Sequence, residues 1–407
     1  MGPGRLKDSC VLIWERLGPY HIARINELAY VFGGDITVIE IFKNDKIYAW
    51  DAVEGGTTWS RVTLFQQENN LVTSEMQSRV VLETLDRIGP QCVGIIGYSF
   101  PYGLGALRWC LKNNRAAVLF SDNCMHDHPR RWHVELIKSF VVKSFGAALV
   151  GGVLHADYLK VLGLSRNRIR FGYNVVDSEH FARLSDARIA IRSQHGAGQP
   201  FFLAITRFIP KKNLVFLLRS YAAYRARMDE TAWRLVILGD GALRADIEAE
   251  VISLGLTDDV DLPGFKQSNE LPGWYQAAGA FLLPSVVEHW GLVVNEALSA
   301  GLPVLVSDRC GCVPELVHPG RNGWVLDPTD AHKWADAMVE VSLRPELAQR
   351  MSGNSRTIIS DWGTKRFAKA FMEAAVIAQA NRQPQTWFMN WLLSRLERRP
   401  TAPEVGG

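Results

Sequence analysis

"AFLLPSVVEHWGLVVNEALSAGLPVLVS" occupies residues 280–307. An apolar run at 280–283 is followed by a polar loop, an amphipathic stretch and a second apolar run at 303–306. Short continuous apolar runs fit strands buried on both faces, and the segment that joins two of them is a crossover helix. The stretch predicts a strand–helix–strand unit of a parallel sheet, with the helix over 291–300 and Gly301 closing it. It also carries two carboxylates. Glu288 stands on the loop before the helix, and Glu296 lies about one and a half turns inside it.

The same alternation runs through the chain. Strands are predicted at 10–14, 36–42, 92–97, 117–120 and 147–150, with amphipathic stretches such as 74–88 and 102–114 between them. Around 172–199 the text becomes polar, turn-rich and then rich in Ala, Ser, Gly and Gln, which places an interdomain link there. The alternation restarts with strands at 201–205 and 234–238 and helices at 213–227, 242–254 and 331–342. A chain of 407 residues exceeds one ordinary core. The expected organisation is a domain over 1–182, a second over 196–362, a helix over 363–383 and an amphipathic tail over 384–407.

Composition excludes several classes. With 47% hydrophobic and 21% charged residues the chain is globular. A formal net charge of +3 is too small to argue for a nucleic-acid partner. The six cysteines show neither a disulfide framework nor paired zinc spacing, which favours a reducing compartment. No apolar run approaches the ~18 residues a membrane span needs, and residues 1–14 have no long apolar leader segment.

In open α/β sheets ligands sit beyond the carboxyl ends of the strands. After 201–205 come Arg207 and Lys212, a planar fork and a compact charge suited to phosphate oxygens, or a solvated basic turn. After 234–238 comes Gly239-Asp240-Gly241, which permits close backbone approach or forms a plain tight turn. After 280–283 come Glu288 and the helix start at Gly291, where the amides of Leu292 and Val293 offer an anion site. Glu296 suits hydroxyl groups rather than phosphate, because two anions repel. "DVD" at 259–261 reads as turn and strand rather than as a metal site, and Cys310 and Cys312 lack His partners at ligand spacing.

Arg207 with Lys212, the GDG turn, the Glu-x7-Glu pair before "GLPVLVS" and the run "PELVHPGRNGWVLDP" together resemble retaining glycosyltransferase family 4, the glycosyl transferases group 1. The resemblance is close over about 200–330 and only in outline before that. It implies the α/β GT-B fold: two doubly wound Rossmann-like domains facing across a cleft, with a C-terminal helix crossing back to the N-terminal domain. The C-terminal domain would bind the nucleotide sugar, and the N-terminal domain the acceptor. Arg207 and Lys212 match the pair that holds the donor diphosphate. Glu296 matches the ribose-binding glutamate, Glu288 the glutamate beside the donor sugar, and Leu292 and Val293 the amide donors to phosphate. Phe265 falls where the base is cradled. Gly18 falls in the family's glycine-rich loop, which is reduced here because Pro19 follows it without a second glycine. Tyr20 and His21 then become acceptor candidates. Where family members carry a histidine after the strand at 117–120, this chain has Ser121-Asp122-Asn123, with His126 and His128 beyond. Asp122 and His126 are the catalytic candidates there, beside Glu288.

The expected activity is transfer of a sugar from a nucleoside-diphosphate sugar to a glycan or lipid-linked acceptor in polysaccharide or glycoconjugate synthesis, with no metal or other cofactor. A GT-B phosphorylase and a nucleotide-sugar-binding protein without catalysis are the alternatives. The expected location is the cytoplasm, with the tail a candidate for an anionic membrane surface because Trp387, Phe388, Met389, Trp391, Leu392, Leu393 and Leu396 precede Arg398 and Arg399. For "PRRWHVELIKSFVVK" at 129–143, packing on the protein is favoured over a membrane contact.

Overall fold

The computed structural model describes residues 9–43, 58–66, 71–127, 129–228 and 231–399. Two compact units form. One takes the chain up to Val175 and again from Thr364, and the other takes Val176–Gly363.

In the first unit, β1 (Cys10–Trp14), β2 (Ile36–Phe42), β3 (Ser60–Phe65), β4 (Cys92–Ile96), β5 (Ala116–Ser121), β6 (Ala147–Val150) and β7 (Ile169–Phe171) form a parallel sheet in the order β3-β2-β1-β4-β5-β6-β7. The helices that serve it are α1 (Pro19–Phe32), α2 (Ser74–Ile88), α3 (Pro101–Lys112), α4 (Trp132–Lys143) and α5 (Val153–Val161). The central strands are fully buried, as their unbroken apolar sequences require. Strand β3 is different. Its alternating "SRVTLF" lies at the sheet edge, and Arg61 and Thr63 both bond the buried Glu40 of β2 at 2.8 Å.

The second unit opens with α6 (Ser178–Ala182) and α7 (Ala187–Gly196). The stretch expected as a linker is thus partly helical. Arg192 of α7 donates to the carbonyl of Ala277 at 3.0 Å, and Phe181 of α6 meets Tyr275 edge-on, so both helices belong to this unit's packing. The unit's sheet comprises β8 (Phe202–Ile205), β9 (Leu235–Leu238), β10 (Val260–Gly264), β11 (Ala280–Leu283), β12 (Val304–Ser307) and β13 (Gly323–Leu326), ordered β10-β9-β8-β11-β12-β13. Its further helices are α8 (Leu214–Arg225), α9 (Arg244–Ser253), α10 (Leu271–Ala277), α11 (Leu292–Ala300), α12 (Val313–Leu316), α13 (Ala331–Leu343) and α14 (Pro345–Ile359). Described strand pairs in both sheets are parallel.

The chain then re-enters the first unit as α15 (Thr364–Ala380) and α16 (Trp387–Leu396). Phe367 and Phe371 of α15 pack on Phe120 of β5, with ring centroids 6.2 and 5.9 Å away. Gly146 lets the helix come close, since a Cβ there would lie 2.7 Å from the Cα of Ala378. The expected tail is not one loose segment: Leu392 and Leu393 of α16 are buried, and Glu397 pairs with Arg108 at 2.8 Å.

Helix α1 begins at Pro19, where a missing N–H costs nothing. The Gly18 N–H donates to Nδ1 of His21 at 3.1 Å, which fixes the neutral ring with its proton on Nε2. Burial, then the neighbouring Arg24 charge, push the His21 pKa down to about 3. An unfolded histidine titrates near 6.5. Between these values the unfolded chain binds a proton that the folded chain refuses, so stability falls as pH drops below about 6.5. At pH 5 the loss from this residue is about 1–2 kcal/mol. Exchanging His21 for Asn keeps an acceptor for Gly18 and removes the titration. Urea melts of H21N at pH 7 and pH 5 should show a smaller pH effect than the parent chain; an equal effect would refute the histidine's role.

Candidate functional site

In the second sheet the chain winds outward from β8 through β9 to β10, then returns to the other side of β8 and winds through β11, β12 and β13. The switch point lies between β8 and β11, where the loops leaving the two strands diverge. Arg207 and Lys212 follow β8, and Glu288 and the start of α11 follow β11. The fold therefore gathers these candidates at one position of the sheet, although 76 residues separate Lys212 from Glu288.

Lys212 donates to the Glu288 carboxylate in an ion pair whose side chains are only 12% and 16% exposed. Ser285 Oγ donates to the same carboxylate oxygen at 3.3 Å. Burial by itself would raise the Glu288 pKa, but the Lys212 charge and hydrogen bond, with Lys211 and His289, outweigh it and hold the carboxyl below its usual range. The backbone around it is braced from the loop after β12: Gly311 N–H donates to the Glu288 carbonyl at 2.9 Å, and Cys312 N–H to the Trp290 carbonyl at 3.1 Å. Cys310 and Cys312 are buried, free thiols that burial pushes well up. Their place is packing behind this loop.

Gly291 adopts φ 96° at the N-cap of α11, a left-handed turn that aims the Leu292 and Val293 end of the helix. Glu296, one turn further, is fully buried and accepts a 2.7 Å bond from the Tyr275 hydroxyl of α10. Nothing in the sequence marked Tyr275 as the partner of Glu296; it stands in an apolar helix whose aromatic residues read as core. Asn213, at φ 58°, ties the Lys212 turn to the β11 loop by donating to the carbonyls of Pro284 at 3.3 Å and Pro328 at 2.9 Å.

The GDG turn has a local cause. A Cβ at Gly239 would lie 1.8 Å from the Thr206 carbonyl oxygen, and one at Gly241 would lie 2.6 Å from that of Phe208. The glycines let the β9 turn close on the segment that carries Arg207. Phe265 follows β10 and is 39% exposed, and Lys266 lies over the Trp274 ring, 5.6 Å from its centre. The "DVD" aspartates are occupied: Asp259 pairs with Arg225 at 3.1 Å and Asp261 with His195 at 3.2 Å.

The remaining candidates lie in the first unit. Gly18 has an extended backbone, φ −116°, that any residue could adopt. Tyr20 and Asp122 both bear electrostatically on Arg24. Arg24, which the sequence reading did not single out, is 2% exposed; it donates to the Val175 carbonyl at 3.0 Å and stacks near the Tyr173 ring. His126 is exposed in the turn after β5 and makes no side-chain hydrogen bond with the described residues. His128 lies outside the described residues. Helix α4 starts at Trp132, and Asp127 before it accepts the Cys124 N–H at 2.5 Å and closes a turn.

Residues 187–358 match the family of glycosyl transferases group 1. A GDP-mannose-dependent alpha-(1-6)-phosphatidylinositol monomannoside mannosyltransferase of Mycolicibacterium smegmatis is 32% identical over 184 residues, 43% of this chain and 47% of that protein. The chain thus spans about half the length of the curated relatives it matches. Among solved structures, sucrose-phosphate synthase from Thermosynechococcus elongatus superposes with a TM-score of 0.73 at 18% identity, over 90% of this chain and 97% of that one. The Anabaena protein HepE, in complex with UDP, superposes with a TM-score of 0.69 at 14% identity, over 90% and 98%. The two parallel α/β units have the GT-B architecture of these neighbours, and it is over residues 187–358, in the second unit, that the chain is similar to the glycosyl transferases group 1 family.

Proposed function

We propose that the chain is a retaining glycosyltransferase that moves a sugar from a nucleoside-diphosphate sugar to a glycan or lipid-linked acceptor in glycoconjugate synthesis. The observation that carries this reading is the pairing of Lys212 with Glu288 at the switch point of a family-matched domain, beside Arg207 and the α11 terminus. The donors named for the M. smegmatis relative and the UDP in the HepE structure support a nucleotide-sugar substrate in kind. The scattered, unpaired cysteines support a reducing, cytoplasmic setting.

Cleavage at the anomeric carbon leaves charge on the diphosphate and spreads positive charge over the sugar ring. Arg207, Lys212 and the first amides of α11 meet the leaving-group charge. Fixed donors of this kind supply about 3–4 kcal/mol each when aimed at developing charge. Glu288 faces the sugar, either holding its hydroxyls or stabilising the cationic carbon. Glu296, pre-oriented by Tyr275, takes the ribose hydroxyls, and Phe265 borders the base. Gly239 acts through the Arg207 segment it packs against. Gly18 belongs to the donor-side loop, Tyr20 and His21 serve the acceptor, and Asp122 and His126 are the catalytic candidates of the first unit. No cofactor enters the scheme.

The Lys212–Glu288 pair sharpens the tests. Replacing Glu288 by Gln should lower turnover about 100-fold or more, as loss of an electrostatic stabiliser does. Affinity for the free nucleoside diphosphate should hold or rise, because Lys212 loses a competing anion. Calorimetry beside a turnover assay checks both; native turnover in E288Q would end the assignment.

Arg207→Ala should weaken diphosphate binding by about 1.5–3 kcal/mol, the worth of a charged hydrogen bond, and leave nucleoside binding unchanged. Lys212→Ala should do the same and also lower thermal stability, because it strands a buried carboxylate. Equal losses for nucleoside and nucleoside diphosphate would place both cations elsewhere.

A further inference from the structure

We propose that α4 and α16 together form a docking surface for an anionic membrane. The two helices are far apart in sequence but meet in the first unit, where Phe140 and Phe388 contact edge-on with ring centroids 5.4 Å apart. On α4, Trp132, Leu136 and Phe140 recur every fourth residue, so they share one face, and all three are exposed. On α16, Trp387, Phe388 and Trp391 share a face and are exposed, while Leu392 and Leu393 point inward. Trp132 and Trp387 are 80% and 81% exposed. Both helices are anchored from behind, by Val141 and Val142 and by Leu393 with Glu397 bound to Arg108 and Ser78. The outer aromatic faces are therefore not the result of a detached segment.

The charges say which partner fits. Over 131–143 and 386–399 the acidic residues are Glu135 and Glu397. Glu135 is taken up by Lys138 and the Tyr158 hydroxyl, and Glu397 by Arg108. Arg131, Lys143, Arg395, Arg398 and Arg399 form no ion pair among the described residues. A surface whose two acids are both taken up by partners, and which keeps five further cations, suits a field that is negative throughout. A protein partner presents both signs; a bilayer rich in acidic headgroups presents one. Tryptophan at the rim of such a patch suits the headgroup level, with its ring in the acyl boundary and its N–H in water. No described helix is long and apolar enough to cross a membrane, so the contact would lie in the interface plane. This inference does not depend on the donor-site reading.

The test is sedimentation of the full chain with vesicles of phosphatidylcholine alone and with phosphatidylglycerol added, at low and high salt. Binding should appear with phosphatidylglycerol and weaken as salt rises. The triple variant Trp132→Glu, Trp387→Glu, Trp391→Glu should lose about tenfold or more of the bound fraction, with an unchanged unfolding transition, since all three side chains are exposed. The pair Arg131→Glu, Arg395→Glu should reduce binding only to the anionic vesicles. The proposal is overturned if the native chain stays in the supernatant at low salt, or if the triple variant binds like the parent. It is also overturned if light scattering finds a native dimer that the triple variant converts to monomer while neither binds vesicles.

Discussion

A parallel strand can be rejoined only by a crossover, and every crossover must lie over one face of the sheet. A chain that winds outward from β8 to β10 and then continues on the other side has to reverse at β8 and β11. That reversal leaves a notch between neighbouring strands at their carboxyl ends. Arg207, Lys212, Glu288 and the α11 terminus stand around it because topology leaves room nowhere else on the sheet for opposed loops to splay. The glycines at 239 and 241, the left-handed Gly291 and the Asn213 bridges set the angles at which those loops leave.

Within this notch the charges balance before any substrate arrives. A carboxylate withdrawn from water is costly unless a cation accompanies it. Lys212 supplies that cation for Glu288, and Tyr275 supplies a hydrogen bond for the still more deeply buried Glu296. Each acid is thus held ionised or oriented by a partner that can be shared with an incoming ligand. On the proposed reading, a lysine already bound to a carboxylate would meet a diphosphate as a divided charge, and the donor's anion would decide how strongly Glu288 remains engaged.

Most of the second sheet could be read from sequence, because strands buried on both faces are spelled as unbroken apolar runs; 280–283 and 304–306 are examples. Edge strands do not follow that spelling. Strand β3 alternates polar and apolar residues, and its Arg61 is explained only by Glu40 on the neighbouring strand. The stretch 183–199 looked like a linker by composition, yet Ala, Arg and Gln are good helix formers, and α7 is fixed by Arg192 capping α10. The Arg207, Lys212 and Glu288 positions stood out because they follow strands directly. Tyr275 and Arg24 did not, since their importance comes from contacts that bring distant residues together. The tail's double character, with one face inward and one outward, also needed the position of α4.

The first unit is assembled from two separated pieces of chain, and this has a consequence during synthesis. Its sheet is complete at Val175, but the helix that covers Phe120 begins at Thr364, some 189 residues (364 − 175) later. At the roughly 5–20 residues per second of translation, that interval is about 10–40 s. Throughout it the apolar face around Phe120 has no α15 to cover it, while the second unit, continuous from Val176 to Gly363, already has all its residues. The nascent first unit is then an open sheet waiting for its last helix, the state in which such a surface is most exposed to wrong partners. A chain truncated before Thr364 would stay in that state permanently.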